Sequence, residues 1–235
     1  MTDKEATRVL KAHGFPEEGM NVFAKGCLYV LPIGAITSGV CLNPSSDKYD
    51  VRLIVFQQPL YFPRGGVVFW KLLSDVPSPR GHSSWDFDPD PQSETANILC
   101  DGIRERCLPL AQKRLTVEGA LAQTLAELKD LPDSYYKMED QVLSLAMLGR
   151  LHEAWEVLSR LMAGAREKIQ NPKPHPKPFD WNLVDRNQHW AVDLYPRLLP
   201  LEQAFLAPDR EQAVRMQMES YIEGTKKAVG LEGVP

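Results

Sequence analysis

The pattern of this chain changes near its middle. Up to about Asp90, four apolar runs of strand length are separated by clusters of Gly, Pro, Asn and Asp; beyond it, apolar residues recur at helical spacing. Strands joined by short turns pair with their neighbours as antiparallel hairpins, because a parallel pair needs a long crossover between its strands. Strands first and helices afterwards is the order of an α+β protein. The expected division is an α+β sheet region over residues 1–90 and a helical region over residues 91–235, together forming one compact unit.

Lys4 to His13 reads as a helix that turns Ala6, Val9, Leu10 and His13 toward the core, with Gly14 as its stop. Four strands follow, over Val22–Leu31, Ala35–Leu42, Val51–Phe62 and Gly66–Leu73, as a meander. Their separators, Pro32-Ile33-Gly34, Asn43-Pro44-Ser45-Ser46-Asp47 and Pro63-Arg64-Gly65, hold the residues that tight turns require. A proline-rich loop spans Asp75 to Asp90. After Asp90-Pro91, the residues Ile98, Leu99, Ile103, Cys107 and Leu110 recur at helical spacing, so a helix runs on toward Leu115, kinked or shortened by Pro109. Further helices are expected from Thr116 to Leu128, Tyr135 to Leu148, Leu151 to Ala165, Trp181 to Phe205, interrupted around Pro196 and Pro200, and Asp209 to Val229. Between them, Asn171 to Pro178 alternates with proline and reads as an extended link.

Hydrophobic residues make up 43% and charged residues 25%, an ordinary balance for a chain that buries its own core. The formal net charge of -4 is not the basic footprint of a nucleic-acid binder. No stretch reaches the roughly 20 apolar residues that span a bilayer, and the polar start is unlike a signal peptide. Neither nucleic acid nor membrane is therefore expected as a partner. Cys27 and Cys41 fall on neighbouring strands, while Cys100 and Cys107 lie two helical turns, about 10 Å, apart, too far for a disulfide. Four thiols in a reducing cytoplasm are the expected state.

The segment His82-Ser83-Ser84-Trp85-Asp86-Phe87-Asp88-Pro89-Asp90 places aspartates at alternate positions, as a calcium loop does. Such a loop needs Gly at its sixth position and Glu at its twelfth, where this chain has Pro91 and Asn97. No metal or other cofactor is expected. The better fit is a partner-binding loop of His82, Trp85, Asp86, Phe87 and Asp88, an aromatic anchor among exposed carboxylates. The sequence carries no GxSxG, HExxH, GxxxxGK[ST] or GxGxxG motif, so an enzyme is not the expected reading; it would need a site of unrecognised type.

Leu148-Gly149-Arg150-Leu151-His152-Glu153-Ala154 resembles the inter-helix turn of a tetratricopeptide repeat, with no second copy at the 34-residue period. The opening block, a helix to Gly14-Phe15 and then Asn21-Val22-Phe23-Ala24-Lys25 leading into the meander, resembles small bacterial proteins that include toxin-immunity proteins. That resemblance covers the first third of the chain and implies a protein that neutralises a toxin by direct binding; it carries over no site residues. The expected partner is accordingly another protein, a basic toxin domain, which a mildly acidic chain would meet faster through opposite charge. The rivals are an adaptor that uses its helical part to hold a peptide, and an enzyme.

Overall fold

The computed structural model describes residues 2–45, 47, 49–63, 71–113, 115–171 and 186–234. The chain is α+β and divides into two compact units. The first comprises Met1–Leu60, Arg64–Leu115 and Glu223–Pro235; the second comprises Tyr61–Pro63 and Thr116–Ile222. Residues 91–115, grouped by the sequence with the helical region, thus belong to the unit that holds the sheet.

In the first unit, helix α1 (Asp3–Ala12) opens on a capping box. The Thr2 side chain accepts from the Glu5 amide while the Glu5 carboxylate accepts from the Thr2 amide at 2.7 Å, which satisfies two orphan donors at once. Strands β1 (Asn21–Ala24), β2 (Cys27–Val30), β3 (Ile36–Pro44) and β4 (Asp50–Pro59) form the expected antiparallel meander. The run expected as one strand over Val22–Leu31 is instead the hairpin of β1 and β2. It turns at Lys25-Gly26, both at positive φ (44° and 77°), the backbone of a two-residue type I′ turn. Lysine rarely adopts that conformation, and here the Lys25 ammonium donates to the Ala228 carbonyl at 2.8 Å. The far side of β4 pairs with β5 (Lys71–Asp75) and, nearer its start, with the short β6 (Trp85–Asp86). Residues 66–70 of the expected fourth strand lie outside the described residues, as do the 173–178 link and Trp181.

Side chains alternate across the sheet. Leu28, Val30, Val40, Leu42, Leu53 and Val55 share one face and join one buried cluster with Val9 and Leu10 of α1 and with Leu99, Ile103 and Cys107. Those last three come from a helical rod of α2 (Glu94–Gly102), a π-helical turn (Ile103–Cys107) and α3 (Leu108–Ala111). The π turn, in which the Leu108 amide bonds back to the Ile103 carbonyl, comes just before Pro109. A proline inside a helix has no amide to donate and crowds the preceding turn; the helix widens there rather than breaking. The Ser38 hydroxyl then donates to the Ala111 carbonyl at 2.6 Å, so one orphan acceptor at the rod's end is met by the sheet.

The second unit is helical: α4 (Val117–Asp130), α5 (Tyr135–Met147), α6 (Leu151–Gln170), α7 (Arg186–Phe205) and most of α8 (Arg210–Val229). The interruption expected around Pro196 and Pro200 does not occur; both prolines lie inside α7. The turn between α5 and α6 rests on Gly149 at φ 70°, where the Arg150 amide reaches back to the Leu145 carbonyl. Beneath it, the fully buried Glu139 of α5 accepts two bonds from Arg197 of α7, at 3.1 and 3.0 Å. Arg197 also faces Asp193 at 2.5 Å, and the Tyr221 hydroxyl of α8 donates to its carbonyl at 2.6 Å. Buried charge is tolerated here because every charge has a partner.

Candidate functional site

The segment from Val76 to Ser93 is built by backbone geometry first. The Gly81 amide bonds to the Ser78 carbonyl and the Ser78 amide to the His82 carbonyl, both at 2.9 Å, with Gly81 at φ 81°. The chain then enters β6, where Trp85 pairs with Val51 and Asp86 with Asp50, and the Phe87 amide continues the pairing to the Tyr49 carbonyl at 2.5 Å. Strand pairing imposes a period of two: Trp85 and Phe87 point inward, while Asp86 and Asp88 point outward.

That period corrects the expectation of an exposed aromatic anchor. Trp85 is 2% exposed and Phe87 4%, and both belong to the sheet's core cluster. The Trp85 indole N–H donates to the Val76 carbonyl at 2.7 Å, and the Arg106 guanidinium lies 5.8 Å from its ring centre while donating to the Pro77 carbonyl. The ring packs on Gly102 so closely that a Cβ there would stand 2.1 Å from Cη2. Asp88 is half-buried and bends its carboxylate back onto the Asp90 amide at 2.8 Å; Asp90 does the same to the Gln92 amide at 3.0 Å. These turns lead to Ser93, which caps α2 by accepting from the Ala96 amide.

What remains at the surface is a cleft of about 540 Å³ in the first unit. Asp50, Arg80, His82, Asp86, Glu94 and Ile98 are among its walls, and Trp85 contributes its base. Three of the five sequence candidates therefore converge on it: His82, exposed, at its rim; Asp86 on its wall; Trp85 underneath. Phe87 and Asp88 do not line it. Asp86 stands 3.7 Å from Arg80, a pair so exposed that it holds neither side chain firmly. The Ser84 hydroxyl donates to the Asp50 carboxylate at 3.1 Å. Sequence reasoning missed Asp50, Glu94 and Ile98. Ile98 fits the apolar helical repeat yet is 45% exposed, because the rod turns Ala96, Leu99 and Cys100 inward instead. Its signal was its place, one position out of step with Ala96, Leu99 and Ile103.

A second concavity, about 620 Å³, lies wholly within the second unit. The α5–α6 turn contributes Met147, Arg150, Leu151 and Glu153, and α8 contributes Val214, Arg215 and Met218. Arg150 and Glu153 form a paired fork of bonds at 2.7 and 2.5 Å on its rim, with each holding the other in its charged form: the Glu153 carboxyl is lowered by the Arg150 side chain, and the Arg150 guanidinium is raised by Glu153.

Among the described residues, no group of three or more His, Cys, Asp or Glu converges in a metal-holding arrangement, and no helix is long and apolar enough to cross a membrane. Comparison with models of known protein families, with curated proteins and with solved structures yields no match to this chain.

Proposed function

We propose that this chain works by binding another protein in the cytoplasm, and that the cleft beside β6 receives a basic residue of that partner. The observation that carries the reading is the make-up of the cleft. Asp50, Asp86 and Glu94 line the space together with Arg80, which is held by an exposed pair, and Ile98 adds an exposed apolar side chain to the same wall. A Lys or Arg side chain combines an apolar stem with a cationic head and suits such a mixed wall. Carboxylates gathered at one opening also speed the approach of a basic partner. Inhibition of a basic toxin, in the manner of an immunity protein, is the specific form this reading takes.

The test is a pull-down with the tagged full chain from its source cell, followed by the double substitution Asp86→Lys with Glu94→Lys. Reversing two wall charges is expected to abolish capture of a basic partner and to flatten the salt dependence of its association. Capture at unchanged affinity by the reversed variant would remove the cleft from the mechanism. A partner that is toxic when expressed alone and harmless alongside this chain would support the inhibitor form.

The groove of the second unit favours one other reading, an adaptor that holds a peptide or helix. Its apolar floor of Val214 and Met218 under a rim of paired charges is the arrangement such grooves use. Arg215→Glu, which reverses a charge at the exposed edge of that groove without disturbing its buried floor, separates the two, since only groove binding would be weakened.

A further inference from the structure

We propose that Cys27 and Cys41 are a redox modification site, closing to a reversible cross-strand disulfide when the protein meets a peroxide. The two residues sit directly opposite each other on β2 and β3. The Leu42 amide bonds to the Gly26 carbonyl at 3.1 Å, one step outside the pair, which makes Cys27 and Cys41 a non-hydrogen-bonded pair. In that arrangement Cα atoms stand about 4.5 Å apart and side chains approach most closely. A disulfide spans Cα separations of about 4.4 to 6.8 Å, a range that includes the spacing of such a pair. Thiol–disulfide exchange with a dithiol makes such a bond reversible.

Access and environment agree with this geometry. Both sulfurs are thiols, Cys27 buried and Cys41 half-buried, so Cys41 is the one a small oxidant can reach. Tyr29 follows Cys27 on the same face. Burial, and then the neighbouring Cys27 and Cys41, raise its phenol above its ordinary range and keep it protonated beside the pair. Opposite Tyr29 stands Gly39, where a Cβ would lie 2.5 Å from the Leu28 carbonyl and 3.0 Å from the Phe56 ring; the strands approach closely here and hold the register that aligns the cysteines. Cys100 and Cys107 form no such pair: both lie buried along one rod, where burial pushes their thiols up to about 11 and about 12.

The chemistry balances with hydrogen peroxide as the oxidant. The Cys41 thiolate attacks one peroxide oxygen and the O–O bond breaks, leaving a sulfenic acid; the departing hydroxide takes up the thiol proton as water. The Cys27 sulfur then attacks the Cys41 sulfur, the S–O bond breaks, and a second water leaves with the Cys27 proton. Two thiols are oxidised and one peroxide is reduced to two waters. A dithiol reductant reverses the change by thiol–disulfide exchange.

The test uses the full, folded chain. Trypsin places both cysteines in one peptide, residues 26–48, because no Lys or Arg lies between Lys25 and Lys48. After brief exposure to hydrogen peroxide, denaturation and alkylation, that peptide is expected to carry no alkyl group and to be lighter by two hydrogen atoms. Dithiothreitol should restore both alkylation sites, and Cys100 and Cys107 should stay alkylatable throughout. With Cys27→Ser, the Cys41 sulfenic acid has no thiol to close on, so labelling by dimedone should rise several-fold over the unsubstituted chain. A peptide that keeps both alkylation sites, or dimedone labelling equal in the two proteins, would overturn the proposal.

Discussion

Gly102→Ala isolates the contact on which the cleft is built. Helix propensity alone makes the substitution favourable by about 1 kcal/mol, since glycine inside a helix is the costlier residue. At this position the added Cβ would stand 2.1 Å from Trp85 Cη2 and 2.3 Å from Cζ3, well inside van der Waals contact. The ring must therefore retreat by more than about 1 Å. It is buried among Leu99, Ile103 and the strand residues, and its indole N–H is held by the Val76 carbonyl at 2.7 Å. Overpacking of a core costs about 1–3 kcal/mol, and a stretched buried hydrogen bond adds about 1 kcal/mol. After the propensity gain, the variant should be destabilised by about 2 kcal/mol. Gly224→Ala is the control: it lies inside α8, in the same unit, with nothing within 4 Å of its Cβ, and should be stabilised by about 0.5–1 kcal/mol. Urea unfolding followed by tryptophan fluorescence reads both, and in a Trp85→Leu background the alanine at 102 should become neutral or favourable. A Gly102→Ala protein at least as stable as the parent, or a penalty that persists without the indole, would refute the reasoning.

Removing the charge of the fully buried Glu139 leaves the Arg197 guanidinium without its two-bond partner. Glu139→Ala is expected to cost about 3–5 kcal/mol, while Glu139→Leu with Arg197→Met should recover most of it, both measured by urea unfolding. The buried thiols predict a slope at alkaline pH. Cys100 and Cys107 are raised from an ordinary value of 9.0 to about 11 and about 12, so the folded chain keeps protons that the unfolded chain releases. Stability is then full below about pH 9 and falls as pH rises toward about 12. The urea midpoint should drop over that interval, and less so in Cys100→Ala with Cys107→Ala; identical slopes would contradict the assignment.

Individual elements were legible wherever local chemistry acts alone. Turn residues marked the ends of β3 and β4, apolar repeats marked α4 to α6, and Gly149 marked the turn between α5 and α6. The Thr2–Glu5 capping box, by contrast, enters only with the structure, which starts α1 at Asp3. The two-strand hairpin at Lys25-Gly26 was not legible either, because the turn is only two residues long, lysine gives no turn signal and Gly26 stands alone within a run of strand-forming residues. Pro109 signalled a kink or an early end, and the chain answered with a widened turn, since the core contacts of Ile103 and Cys107 favour keeping one continuous rod.

By itself the sequence determined the fold class, the meander and the reach of most helices, since these follow from the spacing of apolar residues and the backbone limits of Gly and Pro. It also brought out His82, Trp85, Asp86, Phe87 and Asp88 as a group. Tertiary structure alone decided which of them face outward. Pairing of β6 with β4 set the inward phase of Trp85 and Phe87, and the absent side chain at Gly102 made room for the indole. The same pairing brought Asp50 beside Asp86, and the rotation of α2 left Ile98 at the cleft. Strand register likewise placed Cys27 opposite Cys41. Phase and register depend on partners far along the chain, and local residue patterns carry no information about distant partners.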